Sequence, residues 1–147
     1  MIFTLALATV ALAANPFIGT WKLNVTKSKA SDPSMMPKNE TVKNVAQDSG
    51  VKMTYDGVDA KEQAYHMVWT GKFDGKDYPT TGDPNVDTSA IRKVDDNTIV
   101  AVDKKAGKEV ATWRVAVTKD GKTEIVAGKM KGAKGLEVTF DLVYDKQ

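Results

Sequence analysis

The chain has 147 residues, 41% of them hydrophobic and 27% charged, a composition that suits one globular domain and excludes disordered and collagen-like chains. Its 21 basic and 19 acidic residues are scattered to a formal charge of +2, and only Arg92 and Arg114 carry a guanidinium fork, so no nucleic-acid partner is expected. With no cysteine, the chain has no disulfides, thiol nucleophiles, thiolate metal sites or lipidated amino-terminal cysteine.

The first element in chain order is the uncharged apolar run from Ile2 to Ala14, IFTLALATVALAA. It is too short to span a bilayer and about right for the hydrophobic region of a signal peptide. Ala11 and Ala13 flank Leu12 as an A-x-A cleavage signal, so residues 1–14 are expected to be a signal peptide and 15–147 the mature domain. The expected product is extracytoplasmic, periplasmic or secreted, with no membrane segment after cleavage.

From Asn15 onward no helical stripe is evident. Short stretches rich in Val, Thr, Ile and Tyr alternate with turn signals at Ser49-Gly50, Asp56-Gly57, Asp74-Gly75, Ala106-Gly107 and Asp120-Gly121. The strands predicted between them are Phe17 to Val25, Glu40 to Gln47, Val51 to Tyr55, Ala64 to Phe73, Thr88 to Val94, Thr98 to Asp103, Glu109 to Thr118, Thr123 to Met130 and Leu136 to Asp145. So many sequential hairpins would leave two exposed edges in a flat sheet. The prediction is therefore an all-β fold, a single antiparallel up-and-down β-barrel of about 8–10 strands. A sandwich is the rival arrangement.

Two connections break the pattern. Thr26 to Lys38 contains two prolines and reads as a loop with at most one short helical turn, where Met35 and Met36 either cap a barrel mouth or lie in solvent. Tyr78 to Pro84, YPTTGDP, reads as another mouth loop; Asp95-Asp96-Asn97 reads as a hairpin turn.

Alternation separates the two faces of the strands. Tyr65, Met67, Trp69, Gly71 and Phe73 share one face, predicted to be interior; Ala64, His66, Val68, Thr70 and Lys72 share the other. In the last strand Leu136, Val138, Phe140, Leu142 and Tyr144 align against Glu137, Thr139, Asp141, Val143 and Asp145. Ala111, Trp113, Val115 and Val117 form a less decisive third set.

The run Phe17-Ile18-Gly19-Thr20-Trp21-Lys22-Leu23 resembles the G-x-W opening of the calycins, the superfamily of lipocalins and fatty-acid-binding proteins. Val143-Tyr144-Asp145-Lys146-Gln147 is similar to the closing strand of fatty-acid-binding proteins, and Asp74-Gly75-Lys76-Asp77-Tyr78-Pro79 to a run in small exported lipocalin-like proteins of bacteria. The resemblance implies a lipocalin-like barrel in which Gly19 and Trp21 are structural and the tryptophan plugs the closed end. It also implies an arginine stacked on that tryptophan, a place open to Arg114. The R-x-Y by which fatty-acid-binding proteins hold a carboxylate is represented here only by Tyr144, in Leu142-Val143-Tyr144, and the proline-broken first connection has no room for their paired helical lid.

His66 is the only histidine, which excludes a multi-histidine metal site. It is either an exposed strand residue or an axial haem ligand. No G-x-S-x-G, phosphate loop, calcium loop or zinc spacing occurs, so no catalytic residue, metal site or cofactor is assigned and no enzyme activity is expected. The leading expectation is a monomeric binding protein for a small hydrophobic or amphipathic molecule, walled by Tyr65, Met67, Trp69, Phe73, Trp113 and Phe140 and oriented by Arg92 or Tyr144. The alternative is an inhibitor-like interaction module with a packed barrel and apolar residues at its mouth.

Overall fold

The structure, a computed structural model, describes residues 14–147; apart from Ala14, the expected signal peptide lies outside them. Eleven strands follow one another: β1 (Gly19–Leu23), β2 (Lys29–Ala30), β3 (Asn39–Gln47), β4 (Gly50–Val58), β5 (Ala64–Gly71), β6 (Asp74–Thr81), β7 (Thr88–Asp95), β8 (Thr98–Lys105), β9 (Lys108–Val117), β10 (Thr123–Lys131) and β11 (Glu137–Lys146). All pairings are antiparallel, and from β3 to β11 each strand pairs with the next. β1 pairs with β3 on one side and β11 on the other, closing a ring of ten strands with no free edge along its circuit. The two-residue β2 lies on the same edge of β11, farther along, at Phe140 and Asp141. The only helical pieces among the described residues are single 3-10 turns at Val25–Lys27, Pro33–Met35 and Ala133–Gly135, and no helix there is long and apolar enough to cross a membrane.

Turn chemistry explains most of the connections. Ala106 and Gly107 both have positive φ, 49° and 75°, which matches the twist of the flanking strands in a two-residue hairpin. Asp120 accepts hydrogen bonds from Thr118 Oγ1 and Lys122 N, fixing the β9–β10 turn. Asp95 likewise accepts from Asn97 N in the β7–β8 turn. Asp56-Gly57, in contrast, lies inside β4, where Gly57 is needed for a different reason: a Cβ there would fall on the Tyr65 ring directly across the ladder.

The sequence prediction omitted two strands, β2 and β6. β6, DGKDYPTT, contains Asp, Gly and Pro, residues depleted from strands, and so read as turn and loop. It holds its place through β7, while its ladder with β5 is reduced to Val68↔Thr81 and Trp69↔Thr80. Leu136, expected on the inward face of the last strand, precedes β11 and is 68% exposed.

One end of the barrel is sealed by Phe17 and Trp21, both nearly inaccessible. Trp21 Nε1 and Asn44 Nδ2 donate to the same acceptor, Phe17 O, at 3.0 and 2.9 Å, which satisfies a buried carbonyl and pins the chain across the barrel floor. Phe73 lies just beyond β5 and packs edge-on against Phe17 and stacked on Trp69, at 5.8 and 6.2 Å between centroids. The cation over Trp21 is Lys146 at 5.2 Å, whereas Arg114 is exposed on the outer wall. At the opposite end Met35 and Met36 are half-buried and packed against the core, the capping position rather than the solvent one.

Candidate binding site in the barrel lumen

Register carries the inward face from strand to strand. On β5 it presents Tyr65, Met67, Trp69 and Gly71, on β9 Ala111, Trp113, Val115 and Val117, and on β11 Val138, Phe140, Leu142 and Tyr144. The structure therefore places Tyr65, Met67, Trp69, Trp113, Phe140 and Tyr144 on the inner wall, Trp69 toward the sealed end, with Phe73 beneath them. Arg92 is exposed, one step out of phase with the buried Ser89 and Ile91 of β7, and cannot orient a ligand in the lumen. His66 is also on the outer wall, its Nδ1 2.5 Å from Asp56 Oδ1, away from any haem that the lumen could hold.

Three carboxylates share the interior with these rings. Glu40 of β3 is 8% exposed and accepts from Tyr65 Oη at 2.6 Å and Tyr144 Oη at 2.5 Å. Asp103 of β8 accepts from Ser89 Oγ at 2.5 Å and Trp113 Nε1 at 2.7 Å, and Thr80 Oγ1 extends that chain to Ser89 at 2.9 Å. Glu124 of β10 is 5% exposed and sits across the ladder from Val117 and Tyr144. It makes no hydrogen bond or ion pair to the described residues, although buried carboxyls are as a rule partnered.

The electrostatics follow from burial. Desolvation pushes the Glu124 carboxyl up to about 8, helped by the nearby Glu40 charge. Glu40 is also raised, because desolvation outweighs the two tyrosine hydrogen bonds, and Asp103 is raised by desolvation against the Ser89 and Trp113 bonds. Burial raises the Tyr55 phenol on β4 as well, and the charges of Glu40, Glu124 and Asp103 all bear on it. No Lys, Arg or His among the described residues is buried to offset them.

Tyr55, Met67, Trp113, Val115, Val126 and Met130 face inward yet remain half-buried. Glycines seat two of the rings. The Tyr65 ring lies over Gly57 and the Trp113 indole over Gly128, each directly opposite in the ladder, which lets the two side chains lie along the wall and reach Glu40 and Asp103. Two clefts lie outside the lumen. One of about 170 Å³ beside Phe17, Phe73 and Lys93 is at the sealed end, and one of about 130 Å³ runs over the outer wall between Glu109 and Lys129.

Sequence reasoning placed the aromatic residues on the inner wall and missed the inward acids. The signal was present in parity: Glu124 shares its alternation with Val126, Gly128 and Met130, while Ile125, the more apolar neighbour, is 46% exposed. The closed barrel is consistent with a calycin-like fold, though the chain matches no protein-family model, no curated protein and no solved structure.

Proposed function

We propose that the chain is an extracytoplasmic binding protein that holds a small amphipathic molecule in the barrel lumen, without covalent chemistry. The observation that carries this reading is the inner wall: a closed barrel sealed at one end, with half-buried aromatic and methionine surface and polar groups aimed into the same space. Export is supported by the apolar run Ile2 to Ala14 and its A-x-A signal. The position of both clefts outside the lumen favours a second reading, an interaction module with a filled barrel.

Native mass spectrometry of the exported chain, purified without detergent and recorded before and after unfolding, separates the two. A co-purifying mass lost on unfolding is expected, together with saturable binding of the neutral dye Nile red that Met67→Trp blocks. A bare chain that also leaves Nile red unbound would transfer the assignment to the interaction module.

A further inference from the structure

Taking the lumen as a binding site, we propose that its ligand is a small apolar amine, with the ammonium group set at Glu124 beside Glu40 and the hydrocarbon part against Trp113, Tyr55 and Met67. The first ground is charge. Three carboxylates from three strands point into one interior, and none takes part in any ion pair among the described residues. A buried acid with no cation beside it is poorly solvated when ionised and so keeps its proton, and an entering ammonium group is the partner that lets it ionise.

The second ground is Glu124 itself, 5% exposed and without a hydrogen-bond or ion-pair partner among the described residues. A carboxyl in that setting lacks the partner that its burial calls for. For an anion the lumen holds no cation: Arg92 and Arg114 are on the outside, and the Tyr65, Tyr144, Ser89 and Trp113 donors are already committed to Glu40 and Asp103. A fatty acid would bring a fourth carboxylate into the cluster.

Two further features fit an organic cation. Aromatic faces attract ammonium groups through the ring quadrupole, and Tyr55 and Trp113 stand on the inner wall. At the open end Lys38, Lys104 and Lys105 are each paired, with Glu62, Asp77 and Asp87, which removes the repulsion that an approaching cation would otherwise meet.

The proton balance is simple. Below about pH 8 Glu124 is protonated in the free protein, so binding of an ammonium ion releases one proton to solvent and creates the charge pair. Isothermal titration with phenethylamine, 2-phenylethanol and 3-phenylpropionate tests the proposal with probes of similar shape and different charge. The amine is expected to bind about tenfold or more tighter than either analogue, with an enthalpy that depends on the buffer's ionisation heat. Glu124→Gln, which keeps the shape of the protonated acid, should weaken the amine by about tenfold and abolish the proton release; Glu40→Gln provides a second charge removal. Alcohol binding equal to the amine's, or an amine affinity unmoved by both variants, overturns the charge assignment and leaves a neutral-ligand lumen standing. If none of the three probes binds, the amine is likewise overturned, and the Nile red titration decides separately whether the lumen binds anything.

Discussion

Glu124 ties the site to the stability of the fold. In the folded chain its carboxyl holds a proton up to about pH 8, whereas a solvated glutamate releases it near 4.5. Between those values the folded state binds one proton more than the unfolded state, so unfolding free energy falls as pH rises. One proton corresponds to about 1.4 kcal/mol per pH unit, present in full below the lower value and lost through the upper one. Glu40 and Asp103, also raised by burial, add slope of the same sign. The groups facing Glu124 are Tyr144 across one ladder and Glu40 nearby, with apolar Val117 across the other, so no cation opposes this trend. Urea unfolding across the range should show stability declining toward alkaline pH in the wild type, with a shallower decline in Glu124→Gln. An unchanged slope in the variant would show that this carboxyl is solvated.

At the level of elements, the strands whose faces alternate strongly were legible and those with mixed faces were not. β11 alternates Val138, Phe140, Leu142 and Tyr144 against polar neighbours, and β5 behaves likewise, so their inner faces follow from counting by two. In β3 and β10 acids occupy inward positions beside valines, and hydropathy alone points those acids outward. Parity with their neighbours gives their direction, and register carries the same face across the ladder from Trp21 to Val42 and from Tyr144 to Glu124. β6 escaped because its strength comes from β7, a long-range partner invisible in its own composition. The glycine seats yield a further expectation. A Cβ at Gly128 would lie 2.5 Å from Thr112 O and overlap the Trp113 indole. Gly128→Ala should therefore destabilise the barrel by about 2–3 kcal/mol and shift the Trp113 indole N–H resonance as its bond to Asp103 is disturbed. A wild-type spectrum and unfolding midpoint would show that the wall yields at no cost.

For the whole molecule, the distribution of charge matters more than its sum. The formal +2 conceals an exterior rich in lysine and an interior that holds three acids and no buried base among the described residues. Composition excluded a nucleic-acid footprint but could not reveal this separation, because inside and outside are properties of the closed sheet.

Closure has a consequence for how the barrel can be rebuilt. Gln147 N donates to Thr20 O at 2.9 Å, and Trp21 pairs with Lys146, so the two outermost strands of the sequence are neighbours. The order of strands around the ring is thus independent of where the chain is cut. A short Gly-Ser link from Gln147 back to Asn15, with a new opening in the exposed Ala106-Gly107 hairpin, preserves every ladder of the barrel. Such a circular permutant should fold to the same far-UV circular dichroism with only a modest loss in Tm. It would also move both chain ends from the sealed floor to the open rim, where a fused reporter would sit beside the mouth and sense what enters.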